Sequence, residues 1–210
     1  MEAYIKIQNL SKKIKNNIVL DNINLTLYKG KIYGFRGING SGKTMLFRAI
    51  CGLITPTDGE IIINGKKLHK DISFPESVGV LIENPGFLPN YSGKQNLKLI
   101  AEIKDIVSEE DIEKILTLVG LNYNNKKKYK QYSLGMKQKL GIAQALMENP
   151  DLILLDEPTN ALDEDSIQNF MKIIKKEKSK GKIILIASHD RSNLQEIADE
   201  IIIIENGRIV

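Results

Sequence analysis

The chain has 210 residues, 42% hydrophobic and 27% charged, the balance of a soluble globular protein with room for a sizeable core. Its 30 basic and 26 acidic residues leave a net charge of +4, too small an excess over this length to argue for nucleic acid. A single cysteine, Cys51, excludes an intrachain disulfide, the N-terminus lacks an apolar signal core, and the longest apolar runs fall far short of the roughly 20 residues that a bilayer requires. A cytoplasmic location is therefore expected, with any membrane part supplied by another chain.

The first thirty residues predict strands, because Ile5 and Ile7, then Ile23, Leu25 and Leu27, alternate with polar residues. Gly30-Lys31 predicts a turn, residues 31–36 a buried strand, and residues 44–50 a helix stopped near Gly52. Cys51 ends that helix's apolar pattern and is expected to be packed inside. Residues 60–63 predict another strand, followed by a hairpin-type turn at Asn64-Gly65. His69, among lysines, reads as an exposed turn residue.

The pattern then becomes helical. Ser92 and Gln95 form a capping box ahead of Leu97, Ile100, Ala101 and Lys104. Ser108 opens a second helix with a stripe of Ile112, Ile115, Leu116 and Val119, ending at Gly120. Residues 122–130 read as a polar loop whose lysines form a solvated turn. A third helix is predicted over 136–148, before Asn149-Pro150. The last third alternates: strand 152–155, helix 165–178, strand 183–187, helix 193–199, strand 201–204 and a turn at Asn206-Gly207. Buried β-branched strands alternating with helices predict an α/β fold with a mostly parallel sheet. The expected organisation is a single domain over 1–210, with an antiparallel β subdomain on the N-terminal side and a helical subdomain inserted at roughly 86–148.

Two segments carry chemistry. Gly37, Ile38, Asn39, Gly40, Ser41, Gly42, Lys43 and Thr44 match the phosphate-loop pattern in full, between a predicted strand and a predicted helix. The glycines let backbone N–H groups turn inward around phosphate oxygens, and the helix that follows adds its positive end. In this pattern Lys43 reaches the β- and γ-phosphates of ATP and the Thr44 hydroxyl holds Mg²⁺. The second segment runs from Leu152 to Pro158, a hydrophobic strand that ends in Asp156 and Glu157. Asp156 is placed to bind Mg²⁺, and Glu157, one residue beyond, to polarise the attacking water.

The stretch Tyr132-Ser133-Leu134-Gly135-Met136-Lys137-Gln138 resembles the signature segment of ATP-binding-cassette (ABC) proteins, ordinarily Leu-Ser-Gly-Gly-Gln. Ser133 and Gly135 match; Leu134 and Met136 depart. Asn160-Ala161-Leu162-Asp163 resembles the loop that crosses the family's dimer, and Ser188-His189 its histidine switch. The resemblance runs from Ile5 to Val210 with every motif in order. It implies a phosphate-loop ATPase that works as a head-to-tail dimer, either a homodimer or a heterodimer with a second ATPase subunit. In such a dimer Ser133 and Gly135 of one copy and Asp163 would complete the other copy's ATP site, and His189 would assist catalysis. It also implies a separate transmembrane permease as partner, a position at the inner face of the membrane, and no nucleic acid. A soluble ABC-type ATPase switch, not coupled to transport, is the alternative.

Three departures from the family pattern stand out. Ile14 occupies the position where most members stack an aromatic ring on adenine, which implies weaker base recognition. Glu83 stands where most members have glutamine, and is expected to be an Mg²⁺-side ligand. The chain also stops at Val210, short of the C-terminal extension many members carry. Finally, residues 81–91 together with 132–138 resemble the subgroup that exports, or confers resistance to, peptide antibiotics such as bacitracin and lantibiotics.

Overall fold

The structure is a computed structural model and describes residues 2–83 and 86–210. Met1 lies outside the described residues, as do Asn84 and Pro85, which belong to the peptide-antibiotic segment singled out above.

The N-terminal hairpin consists of β1 (Ile5–Ile14) and β2 (Asn17–Leu27). Together with β4 (Asp58–Ile63) and β5 (Lys66–Lys67) it forms an antiparallel sheet in the order β2-β1-β4-β5. Ile5, Ile7, Ile23 and Leu27 are buried and Leu25 is partly so, as the alternation predicts, while a register shift between Ile7 and Leu10 breaks the period and leaves Leu10 buried as well. The β4–β5 turn places Asn64 at φ 48° and Gly65 at φ 78°, the left-handed pair that a tight hairpin requires.

The second sheet has six strands in the order β10-β9-β3-β8-β7-β6. They are β3 (Ile32–Arg36), β6 (Val78–Leu81), β7 (Leu152–Asp156), β8 (Ile183–Ser188), β9 (Glu200–Glu205) and β10 (Arg208–Ile209). All neighbours are parallel except β9–β10. Every residue of β7 and β8 is buried, as strands covered on both faces must be. The sheets meet where Asp21 N–H donates to the Gly207 carbonyl at 2.8 Å.

Helix α1 (Lys43–Ile50) leaves β3 through the glycine loop. Three helices lie between β6 and β7: α2 (Gly93–Ala101), α3 (Glu109–Leu118) and α4 (Leu134–Leu146). The capping boxes at Ser92 and Ser108 both form. Several boundaries differ from expectation. Lys104 falls outside α2, whose chain turns away with Asp105 at φ 52°. Helix α4 begins two residues earlier than predicted, because Ser133 caps it by accepting Met136 N–H at 3.2 Å. The polar loop contains a 3-10 turn at Tyr129–Gln131. Strand β6 was not expected at all. Helices α5 (Glu164–Ser179) and α6 (Arg191–Ile197) complete the alternation. Cys51 is buried, and burial pushes its thiol up to about 12, as suits packing rather than reactivity.

Candidate active site

Parallel registry brings the chemistry-bearing residues to one edge of the large sheet. Leu81 pairs with Leu155, Asp156 with Ala187, and Arg36 with Ser188. The segments leaving β3, β6, β7 and β8 therefore emerge together at the strands' carboxyl ends, where open α/β sheets hold their ligands. A cavity of about 590 Å³ opens there, lined by Asn39, Gly40, Gly42, Lys43, Thr44 and Met45 of the loop and α1. Glu83, Asp156, Glu157, Val19, Gln138 and Asn160 form its other walls. Such a volume suits a nucleotide-sized ligand.

The loop is shaped for close backbone approach. A Cβ on Gly37 would lie 2.3 Å from the Ile204 carbonyl oxygen and 2.4 Å from Ser41 Oγ. Gly42 has φ +112°, which L side chains rarely adopt, and its Cβ would meet the Val19 carbonyl at 3.0 Å. The Lys43 ammonium folds across the loop and donates to the carbonyls of Gly37 at 2.6 Å and Ile38 at 3.0 Å. Ser41 Oγ is buried without a hydrogen-bond partner among the described residues. A hydroxyl so placed is costly unless a ligand meets it, and a phosphate oxygen would. These observations fit a bound polyphosphate.

The Thr44 hydroxyl donates to Asp156 Oδ2 at 2.6 Å and so ties the first turn of α1 to the end of β7. Burial pushes the Asp156 carboxyl up. The Thr44 hydrogen bond pulls it down, and the nearby Glu157 charge pushes it up again. A cation beside it would relieve that cost. Among the described residues no three His, Cys, Asp or Glu side chains form a metal cluster. Mg²⁺ does not need one, because it is held by one or two protein oxygens, water and substrate phosphates. Thr44 and Asp156 fit it, and Glu83, the third residue expected on the Mg²⁺ side, lines the same cavity.

Glu157 has φ +49°, a left-handed turn just past the strand. Its N–H donates to the Ala187 carbonyl at 2.8 Å, and its carbonyl accepts from Gln138 Nε2 at 3.0 Å. Its carboxylate faces His189 and Ser188. The Glu83 carboxylate also reaches the cavity wall, where it pairs with the Arg48 guanidinium at 2.8 Å.

The remaining sequence-read residues are not among those that line the cavity. Ser133 is exposed and caps α4, while Asp163 caps α5 by accepting Ser166 N–H at 2.9 Å. A Cβ on Gly135 would come within 2.8 Å of the Ala161 carbonyl, so the signature-like turn and the loop before Asp163 are neighbours. Ile14 is half-exposed at the tip of the β1–β2 hairpin. Sequence reading assigned no part to Arg48 or Val19, and placed Gln138 in the signature-like segment without a role at this cavity. Only Arg48 carried a signal, since it lies four residues after Thr44, on the same helix face.

The fold and this edge together define a phosphate-loop nucleotide-hydrolysing ATPase. Residues 20–160 match the family described as ABC transporter. The chain is 51% identical to the uncharacterized ABC transporter ATP-binding protein YybJ of Bacillus subtilis (strain 168), covering 98% of this chain and 94% of that protein. It is 41% identical to the bacitracin transport ATP-binding protein BcrA of Enterococcus faecalis (100% and 69% covered). It is also 41% identical to the lantibiotic transport ATP-binding protein SrtF of Streptococcus pyogenes (98% and 89% covered). The dimeric structure of MJ0796, a bacterial ABC transporter cassette, superposes with a TM-score of 0.88 at 26% identity, covering 98% of this chain and 96% of that one. This chain belongs to the ABC transporter family, as an ATP-binding and ATP-hydrolysing subunit. No helix among the described residues is long and apolar enough to cross a membrane.

Proposed function

We propose that this subunit powers a separate membrane permease at the inner face of the membrane, in the export of, or resistance to, a peptide antibiotic. The observation that carries the ATPase reading is the 2.6 Å contact from Thr44 to Asp156, with Glu157 immediately beyond it at the cavity wall. It joins the phosphate loop to the acid that Mg²⁺ needs and sets a second carboxylate where water can attack. The permease follows from the family. The substrate class is supported by the relatives named for bacitracin and lantibiotic transport.

In this reading the loop N–H groups and Lys43 bind the β- and γ-phosphates, and Thr44 and Asp156 hold Mg²⁺. The ion would supply charge neutralisation at the transferred phosphate. Glu157 orients the attacking water and His189 orients Glu157. Ser133, Gly135 and Asp163, which lie outside the cavity of their own chain, serve the ATP of a second subunit in a head-to-tail dimer. An exposed serine at a helix start is suited to a phosphate brought by another subunit. MJ0796 has been solved as a dimer, including a post-hydrolysis state bound to ADP and phosphate.

The test is phosphate release by the purified chain, beside capture of its membrane partner and growth in bacitracin or a lantibiotic with the gene present or deleted. ATPase activity lost in Lys43→Ala, a co-purifying permease and a deletion that sensitises cells support the proposal. An active chain with no membrane partner and no change in sensitivity would favour the uncoupled ATPase switch.

A further inference from the structure

Helix α1 makes two cross-links to the strand ends, one turn apart. Thr44 reaches Asp156 at the end of β7, and Arg48, four residues on and on the same face, reaches Glu83 just past β6. Because β6 and β7 are adjacent and in parallel register, the two acids sit side by side at the cavity wall. They are served differently. Asp156 is buried and receives a neutral hydroxyl; Glu83 is largely exposed and receives a permanent cation. Glu83 is held at φ +57°, a backbone state uncommon for a residue with a side chain, so its direction is set locally.

The position has a charge problem that a glutamine would not create. A carboxylate at this wall lies beside Asp156, near Glu157, and beside a cavity suited to polyphosphate. Without a counter-charge it would repel the ligand. Arg48 is the only basic side chain that ion-pairs with Glu83 among the described residues.

We propose that Arg48 is the positioning residue for Glu83: its guanidinium holds the carboxylate at the rim and cancels its charge toward the phosphates, so that a chain with an acid at position 83 keeps its affinity for ATP. Exposed ion pairs contribute little to stability. The role is thus electrostatic and local, and it depends on the acid being present. This inference rests on the nucleotide-site reading above.

The experiment is a double-mutant cycle read by binding of a fluorescent ATP analogue in EDTA, so that neither Mg²⁺ nor turnover enters. Arg48→Gln is expected to weaken binding about threefold to tenfold in the parent chain, and by less than about twofold in the Glu83→Gln background. Arg48→Lys, which keeps the charge, is expected to restore most of the loss. Should Arg48→Gln fail to fold by circular dichroism, Glu83→Gln alone decides, because it leaves the guanidinium unpaired at the rim and is expected to tighten binding. Equal effects of Arg48→Gln in both backgrounds, or weaker binding in Glu83→Gln, would overturn the assignment while leaving the nucleotide site intact. No binding by the parent chain would overturn both.

Discussion

The Glu157 carboxylate accepts the backbone N–H of His189 at 3.0 Å and faces that residue's Nδ1 at 2.9 Å, while Ser188 Oγ donates to its other oxygen at 3.2 Å. The acid at the end of one strand is therefore oriented by the end of the next. Asp156 pairs with Ala187 in the β7–β8 ladder, so the residues after each fall beside one another.

A division of labour follows. If Glu157 polarises the attacking water, as proposed, Glu157→Gln is expected to lower phosphate release by about 10²–10⁴-fold while ATP binding persists. His189→Ala leaves the backbone N–H in place and removes only the ring contact. If the ring acts through the orientation of Glu157, as proposed, turnover is expected to fall about tenfold at unchanged ATP affinity. Steady-state phosphate release and nucleotide titration of both variants decide this. A His189→Ala loss as deep as that of Glu157→Gln would make the histidine the catalytic group instead.

Asp156 is held at a cost to the nucleotide-free protein. Its folded carboxyl is raised, chiefly by burial, so the stability it contributes is complete at low pH and is lost as pH rises through its folded value. Asp156→Asn can still accept the Thr44 hydroxyl and carries no charge to bury. The variant is expected to melt higher than the parent at pH 7 without nucleotide, with the gap closing in acid, and to lose Mg²⁺-dependent hydrolysis. Calorimetry across pH checks it; a lower melting temperature at pH 7 would contradict the assigned cause.

Gly79 lies in β6 where α4 crosses it. A Cβ there would come 1.7 Å from the Ala145 carbonyl oxygen and 2.8 Å from Cγ of Pro150. Because the clash is with backbone, Gly79→Ala has to push the helix off the sheet. Overpacking of this kind costs about 1–3 kcal/mol, or about 2–12 °C of melting temperature for a chain of this size. A thermal scan showing no change would mean that α4 gives way freely.

Ile14 stands half-exposed at the end of β1, paired with Asn17 across the hairpin, and Val19 further along β2 lines the cavity. An aliphatic residue offers contact to a base but no ring to stack. Ile14→Tyr is expected to tighten ATP binding about twofold to tenfold, the worth of an aromatic pair. Competition titrations with ATP and GTP would show it. Unchanged ATP affinity would place the base against another part of the wall.

The order of residues by itself determined the phosphate-loop pattern, the acid that ends β7 and most of the elements. These signals are local: glycines at fixed spacing, a run of four apolar residues before Asp156, a serine three before its capping partner. Their physical cause acts over one turn or one strand, so a short window contains it. Strand β6 escaped because Val78–Leu81 is four residues long with a glycine inside; only the β7 ladder beside it and α4 over it make it a strand. The helix start at Leu134 was displaced because Ser133, singled out for its resemblance to a phosphate contact, also satisfies the first turn of its own helix.

Tertiary structure alone decided which partner each acid meets. Thr44 and Asp156 are 112 positions apart, Arg48 and Glu83 are 35, and Glu157 and His189 are 32. No spacing rule links such pairs. They are brought together by the order β3-β8-β7-β6 and its parallel register, which gather the carboxyl ends of strands distant in sequence at one edge. Sequence could name Glu83 as an acid where the family has an amide, but the guanidinium that faces it became visible only once α1 lay across the ends of β6 and β7.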